Sequence, residues 1–132
     1  MEFEFALEGP PVSLNARDGS PRARKRYQRW KETVREEARK TWPFPEPSQD
    51  TQIEVAIQVF YTETPPDIDN IIKPILDGLQ QVAFTDDRQV WRVISQRIAL
   101  TGRVEDPSAI LLAALEKFAE IVHITISYEE KK

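Results

Sequence analysis

Alternating apolar and polar residues predict the strands of this chain. The alternation is clearest in three stretches, which are residues 2–8, 52–62 and 120–128. Because successive side chains of a strand point to opposite faces, each stretch is typical of a strand with one buried face. In the last stretch the alternation places His123 on the face turned to solvent. Residues 90–100 predict a fourth strand, with mixed facing.

Apolar residues at helical spacing predict three helices between these strands. The first has one apolar stripe, formed by Tyr27, Trp30, Val34 and Ala38. The second covers 70–82, where Gly78 favours an early end, and the third is a short amphipathic helix over 107–118. The resulting order is β-α-β-α-β-α-β. It predicts an α/β (α+β) fold, a small mixed sheet of three to four strands with helices packed on it.

Length and composition fit one globular domain spanning 1–132. Hydrophobic residues make up 40% of the chain and charged residues 30%, which is typical of a folded protein and not of a disordered one. The proline-rich connector 43–47 does not indicate a domain boundary, because neither side could bury a core alone. The longest apolar run, 109–115, is too short to span a membrane, and the N-terminus lacks a signal pattern. We therefore expect a cytoplasmic protein without membrane contact.

Charge is distributed unevenly along the chain. The net charge is −4, yet residues 15–40 contain ten Lys or Arg and four Asp or Glu, so this segment carries +6 and the rest −10. Basic residues without glutamates crowd the front of the first helix, namely Arg22, Arg24, Lys25, Arg26 and Arg29. Such a cluster is typical of contact with nucleic-acid phosphates. A solvated helix surface remains the alternative, above all for the back half of the helix.

Two acidic motifs flank the second predicted helix. Asp67 and Asp69 precede it, and Asp86 and Asp87 follow it. Magnesium takes oxygen ligands, commonly one or two carboxylates together with water and substrate phosphates. A third carboxylate joining the Asp-x-Asp pair would complete a site for one or two ions, which can activate water against a phosphodiester. The pattern therefore indicates a magnesium-dependent nuclease.

A single site requires the two acidic motifs to meet. A helix over 70–82 would carry the chain about 20 Å away at 1.5 Å per residue. The five residues 83–87 can return at most about 17 Å when fully extended. The hypothesis therefore predicts that the helix ends near Gln80 and that the chain then doubles back.

Lys73 and Asp77 share the helix face of Asp69 in this prediction. Lys73 could orient water or neutralise charge on the phosphate, and Asp77 could hold Lys73 in place. Structural alternatives remain open for each motif. Asp67 or Asp69 could cap the helix, Asp86 and Asp87 could form a turn, and Lys73 could form only an i,i+4 ion pair.

Other common sites are disfavoured. The chain has no cysteine, which excludes disulfides and thiolate metal sites. An EF-hand beginning at Asp67 would have Ile72 where glycine is needed and Gly78 where glutamate is needed. The four glycines of the chain are not clustered, so no phosphate-binding loop for a nucleotide cofactor is predicted. A catalytic triad is not supported, since His123 is the only histidine.

The motif D-I-D-N-I-I-K-P-I-L-D-G-L, followed by F-T-D-D-R-Q-V, resembles the signature of the RusA family of Holliday junction resolvases. The early segment G-P-P-V-S-L-N is similar to the opening strand and loop of that family, and the basic helix is similar in placement. The resemblance covers residues 3–100 and the final strand. Departures are Pro65 and Pro66, where the family can have a basic residue, and the helix over 107–118, which resembles an insertion.

The resemblance implies a magnesium-dependent endonuclease that resolves four-way DNA junctions as a homodimer, by paired symmetric nicks, in DNA recombination and repair. Mn²⁺ is a plausible substitute for Mg²⁺. The essential aspartates of the family correspond to Asp67, Asp69 and Asp87, its lysine corresponds to Lys73, and Asp86 is an auxiliary ligand or neighbour. Two alternatives remain, a catalytically silent junction-binding module of the same fold and a dimeric protein with a structural metal site.

Overall fold

The computed structural model describes residues 2–13, 19–49, 51–102 and 104–128. The elements, numbered in chain order, are β1 (Glu2–Glu8), α1 (Pro21–Thr41), β2 (Ile53–Tyr61), α2 (Ile72–Leu79), β3 (Val90–Ala99), α3 (Ala109–Lys117) and β4 (Ile121–Tyr128). The predicted order and the α+β fold are confirmed. Among these helices, none combines the length and apolar character that crossing a membrane requires.

The four strands form one mixed sheet in the order β1-β4-β2-β3. β4 pairs antiparallel with both β1 and β2, whereas β2 and β3 are parallel. Parallel neighbours need a connection that crosses back along the sheet, and here that connection contains α2. Both acidic motifs lie in this connection, one on each side of α2. The crossover therefore decides how the motifs are placed.

The basic helix α1 packs on one face of the sheet. It begins after Ser20, whose hydroxyl accepts a hydrogen bond of 3.2 Å from the Ala23 N–H, and Pro21 occupies the first helical turn, where its missing N–H costs little. Its buried residues are Tyr27, Trp30, Val34 and Ala38. The predicted stripe is thus confirmed, and it leaves the charged residues of α1 on the outer side.

Helix α2 lies directly against α1 at Gly78. A Cβ atom at this position would lie 2.8 Å from Val34 Cγ1 and 3.0 Å from the Lys31 carbonyl oxygen. The glycine therefore permits a close approach of the two helices. The predicted early end is also confirmed, because α2 ends at Leu79.

We expect Gly78→Ala to destabilise the fold by about 1–3 kcal/mol through overpacking. Alanine favours a helix over glycine by about 1 kcal/mol, but the clash involves the Val34 side chain close to its backbone and a backbone oxygen, neither of which can move freely. The midpoint of urea unfolding measures the change. Gly102→Ala is the matched control, since nothing lies within 4 Å of its added Cβ. Equal stability of the two variants would contradict the prediction.

Helix α3 covers part of the opposite face of the sheet, and this corrects the prediction for His123. Leu111 and Ala114 of α3 pack with Phe60 and Ile121 in a second apolar cluster. His123 is only 7% exposed, so its predicted place on a solvent-facing surface is wrong. Alternation identified the face correctly, but it could not show that a helix covers that face.

His123 joins a polar group beneath α3. Its Nδ1 lies 2.9 Å from Gln58 Oε1, and its Nε2 lies 3.1 Å from Glu4 Oε1. The Ser108 hydroxyl donates to Glu4 and also accepts from the Leu111 N–H, which caps the start of α3. These contacts fasten α3 to β1 and β4, and they give the buried histidine its polar partners.

Candidate active site

The loop that contains Asp67 and Asp69 is fastened to the edge strand β3. The Ser95 hydroxyl donates a hydrogen bond of 2.9 Å to the Ile68 carbonyl oxygen, between the two aspartates. Arg97 donates to the Pro66 carbonyl oxygen at 3.2 Å. Two side chains of β3 therefore hold the loop of the Asp-x-Asp motif, one just before Asp67 and one between the two aspartates. Arg97 also brings a positive charge to the segment that has Pro65 and Pro66 in place of a basic residue.

Asp67 and Asp69 are close neighbours with exposed carboxylates. The Asp69 side chain and the Asn70 amide, which donates at 2.6 Å, lower the pKa of Asp67 below 3.8. Two adjacent carboxylates repel each other when both are ionised, and a bound cation relieves that repulsion. Neither aspartate caps α2, whose N-cap is Ile71 without a side-chain hydrogen bond. The cap interpretation is therefore wrong, and both carboxylates remain available to a ligand.

Lys73 supplies a positive charge in the first turn of α2. Its Nζ lies 2.8 Å from Asp77 Oδ1, so the predicted contact between them is confirmed. The hydrogen bond to Asp77 raises the pKa of Lys73 above 10.5, and Asp87 and Tyr27 add to this effect. Lys73 is thus a cation at neutral pH and cannot act as a general base.

The chain reverses immediately after α2, as the single-site hypothesis requires. The Gln81 N–H donates to the Phe84 carbonyl oxygen at 2.7 Å, and Gln81 adopts a positive φ of 71°. Ala83 and Phe84 are fully buried, which anchors the returning chain. The predicted short helix and the reversal of the chain after it are confirmed, and the meeting of the two acidic motifs stays a prediction.

Gln89 organises the segment that contains Asp86 and Asp87. Its Oε1 accepts from the Thr85 N–H, the Thr85 hydroxyl and the Asp86 N–H, and its Nε2 donates to the Ser48 and Thr51 carbonyl oxygens. Asp86 and Gln89 form a capping box around the 3₁₀ turn Asp87–Gln89. Gln89 was not among the predicted site residues, although the D-D-R-Q spacing carries the capping-box signal.

Asp86 has a structural role in this turn. Its carboxylate accepts from the Arg88 N–H at 2.9 Å and pairs with the Arg88 guanidinium at 2.9 Å. These contacts lower the pKa of Asp86 from 3.8 to about 2. The interpretation of Asp86 as a turn residue is confirmed, and any role as an auxiliary ligand would compete with Arg88.

The structure brings some of the predicted site residues together and not others. Asp67 and Asp69 interact with each other, and Lys73 pairs with Asp77. Within the described ranges, no three Asp, Glu or His side chains are grouped closely enough to hold one ion. The pair Asp67 and Asp69 nevertheless fits magnesium, which needs only one or two carboxylates when water and phosphate complete its shell. The ligand roles of Asp86 and Asp87 remain predictions.

Helix α1 contacts α2 through its middle turns, since Arg35 donates to the Asp77 carbonyl oxygen at 2.7 Å and Val34 lies against Gly78. Tyr27, in the first turns of α1, adds to the raised pKa of Lys73. All five basic residues predicted to contact phosphate are in these turns with exposed or nearly exposed side chains, and they are Arg22, Arg24, Lys25, Arg26 and Arg29.

Residues 13–105 match the model of a protein family described as endodeoxyribonuclease RusA. The matched segment includes the basic helix, both acidic motifs and the edge strand, and it ends before α3. Among curated proteins, none matches the chain.

Proposed function

The chain belongs to the RusA family of endodeoxyribonucleases, whose members resolve Holliday junctions, and from this premise we propose how the site of this chain cleaves DNA. The proposed reaction is magnesium-dependent hydrolysis of a phosphodiester, with Mn²⁺ as a substitute metal. The proposed product is a pair of symmetric nicks across a four-way junction, and the proposed setting is DNA recombination and repair in the cytoplasm.

The observation that carries this proposal is the exposed pair Asp67 and Asp69 on the loop that leads into α2, whose first turn contains the cation Lys73. The two carboxylates would hold magnesium, which when bound supplies an activated water and stabilises the leaving oxygen. Asp87 would extend this ligand set from the returning chain, with Asp86 as its neighbour. Lys73 would stabilise negative charge that develops on the phosphate, because it stays protonated at neutral pH.

The basic front of α1 would grip the DNA backbone next to this pair. The first turn of this helix contains no acidic residue that would neutralise the five cations. A cluster of this kind binds phosphates irrespective of base sequence, and each neutralised phosphate strengthens the dependence of binding on salt. Cleavage would then depend on the shape of the DNA more than on its sequence.

A homodimer would match the symmetry of the substrate. A four-way junction has a pseudo-two-fold axis, and a two-fold dimer would place one Asp67 and Asp69 pair on each of two strands. Paired nicks follow from this arrangement, since each subunit would cut one strand.

A nicking assay on a synthetic four-way junction tests the proposal. We expect the wild-type protein to cut two opposing strands when Mg²⁺ is present and to cut none after chelation. A linear duplex of the same sequence is the control substrate, and it should be cut much more slowly. Denaturing gels with each strand labelled in turn show whether the nicks are symmetric.

The same experiment separates the alternatives. Tight junction binding without cleavage in any divalent metal would favour a silent binding module. Mg²⁺ that raises the thermal unfolding temperature but supports no cleavage would favour a structural metal site. Equal cleavage of the junction and the linear duplex would contradict structure-selective resolution and leave a general nuclease.

A further inference from the structure

Trp91 is the most exposed of the large apolar side chains in the described residues, at 71% of its full accessible surface. Trp30 and Trp42 are both buried, at 7% and 9%. A single exposed apolar residue is common in soluble proteins and needs no explanation by itself. The position of Trp91 in the sheet and its neighbours make it a special case.

Trp91 occupies a β-bulge on the edge strand. Ile53 pairs with Val90 and the next residue of β2, Glu54, pairs with Arg92, so Trp91 has no opposite residue on β2. Val90 and Val93 both pack against the main core. Residues three apart in a regular strand point to opposite faces, and therefore the extra residue allows both valines to face the core. The bulge leaves the indole of Trp91 outside the core.

The bulge places the indole next to the second acidic motif. Trp91 lines a depression of about 490 Å³ together with Asp86, Arg88 and Gln89, which belong to the segment around Asp87. It also lines a second depression of about 380 Å³, together with Glu2, Glu54 and Arg92. Both depressions are open, and the first contains Asp86 of the second acidic motif.

Two exposed arginines flank the indole, among the acidic residues Glu2, Glu54 and Asp86. The side chains of Arg88 and Arg92 are 88% and 70% exposed. Arg88 is paired with Asp86, whereas the Nε atom of Arg92 lies 3.9 Å from Glu54 Oε1, which is longer than a hydrogen bond. An exposed aromatic ring between two arginines is the arrangement that stacks nucleobases while cations hold the flanking phosphates.

We propose that Trp91 stacks on an unpaired nucleobase of DNA bound by this chain, with Arg88 and Arg92 beside the adjoining phosphates. This inference rests on the proposed function and specifies its substrate as DNA with unpaired or unstacked bases. Trp91 is a specificity residue and not a catalytic residue, because it contacts a base away from the reacting phosphate. The preference for branched DNA then comes partly from the bases that a branch point leaves without a stacking partner.

Equilibrium binding tests this proposal in chelator, where DNA stays uncut. The probes are a linear duplex and the same duplex with unpaired thymines at its centre. We expect Trp91→Ala to weaken binding of the unpaired probe about tenfold, as loss of one stacked base does. Binding of the linear duplex should not change, and Trp91→Phe should keep most of the affinity. Leu112→Ala removes another exposed apolar side chain, on α3, and should change neither affinity.

Tryptophan fluorescence gives a second measurement on the wild-type protein. Because the other two tryptophans are buried, iodide should quench mainly Trp91. We expect the unpaired probe to shield Trp91 from iodide, and the linear duplex to shield it less. Trp91→Phe should abolish the difference between the two probes.

Three results would overturn the proposal. Trp91→Ala could leave both affinities unchanged, could weaken both equally, or could lower the oligomeric mass and so show that the indole belongs to an interface between copies of the chain. Each result leaves the proposed function standing if the wild-type protein still nicks the junction. Conversely, the wild-type protein could cut no DNA while Trp91→Ala still weakened binding of the unpaired probe. The stacking site would then stand without the proposed function.

Discussion

Asp69→Asn is expected to reduce junction cleavage by about 10²-fold or more while leaving the protein folded. Asparagine keeps the size of the side chain and removes its charge, so the pair with Asp67 would lose half of its charge for a divalent cation. The Asp69 carboxylate is exposed and does not cap α2, and the fold therefore does not depend on it. The initial rate of nicking at saturating Mg²⁺ measures the effect.

Two controls make this result specific. Glu63→Gln removes the same charge from an exposed residue of the same loop, and it should keep the wild-type rate. The thermal unfolding temperature of Asp69→Asn should equal that of the wild type without metal, and its increase on adding Mg²⁺ should be smaller. A variant that nicks at the wild-type rate would contradict the ligand role of Asp69. A variant that fails to fold would instead support the structural metal site.

The order of elements could be predicted because its signals are local. The alternation in β2 and the stripe on α1 depend only on residues a few positions apart, and both appear in the buried faces of the structure. The short length of α2 was predicted from distance limits on the chain. These predictions needed no knowledge of which strands are neighbours.

Features that depend on distant contacts could not be predicted in this way. Whether the face that carries His123 is covered depends on where α3 packs, about which alternation in β4 contains no information. The close approach at Gly78 depends on Val34, more than forty residues earlier, so the glycine could only be interpreted as a helix-weakening residue. The bulge at Trp91 likewise arises from the pairing of β3 with β2.

The candidate site was predicted unevenly for a related reason. The composition of the acidic motifs predicts a magnesium site, and the structure settles which structural alternative holds for some aspartates. Asp86 caps a turn, while Asp67 and Asp69 cap nothing. The support from Ser95 and Arg97 could not be found, because both act on the loop through side chains of a strand almost thirty residues away.

Asp87→Asn and Asp86→Asn provide the second strong prediction, because they remove the same charge from adjacent residues. We expect Asp87→Asn to reduce cleavage by about 10²-fold or more, as loss of a ligand to the reacting metal does. Asp86→Asn should cost less than about tenfold, because asparagine is as good a cap as aspartate and preserves the turn Asp87–Gln89. The nicking rate at a series of Mg²⁺ concentrations measures both variants.

The contrast between the two variants follows from what each carboxylate contacts. The Asp86 carboxylate is engaged by Arg88, which holds its pKa at about 2, whereas Asp87 contributes to the raised pKa of Lys73. If Asp86→Asn were the more damaging change, the release of Arg88 or a direct ligand role of Asp86 would explain it. Arg88→Gln distinguishes these causes, since it frees Asp86 without removing a carboxylate. If Arg88→Gln left cleavage unchanged, the metal would be assigned to Asp86, and the correspondence of the essential aspartate with Asp87 would be wrong.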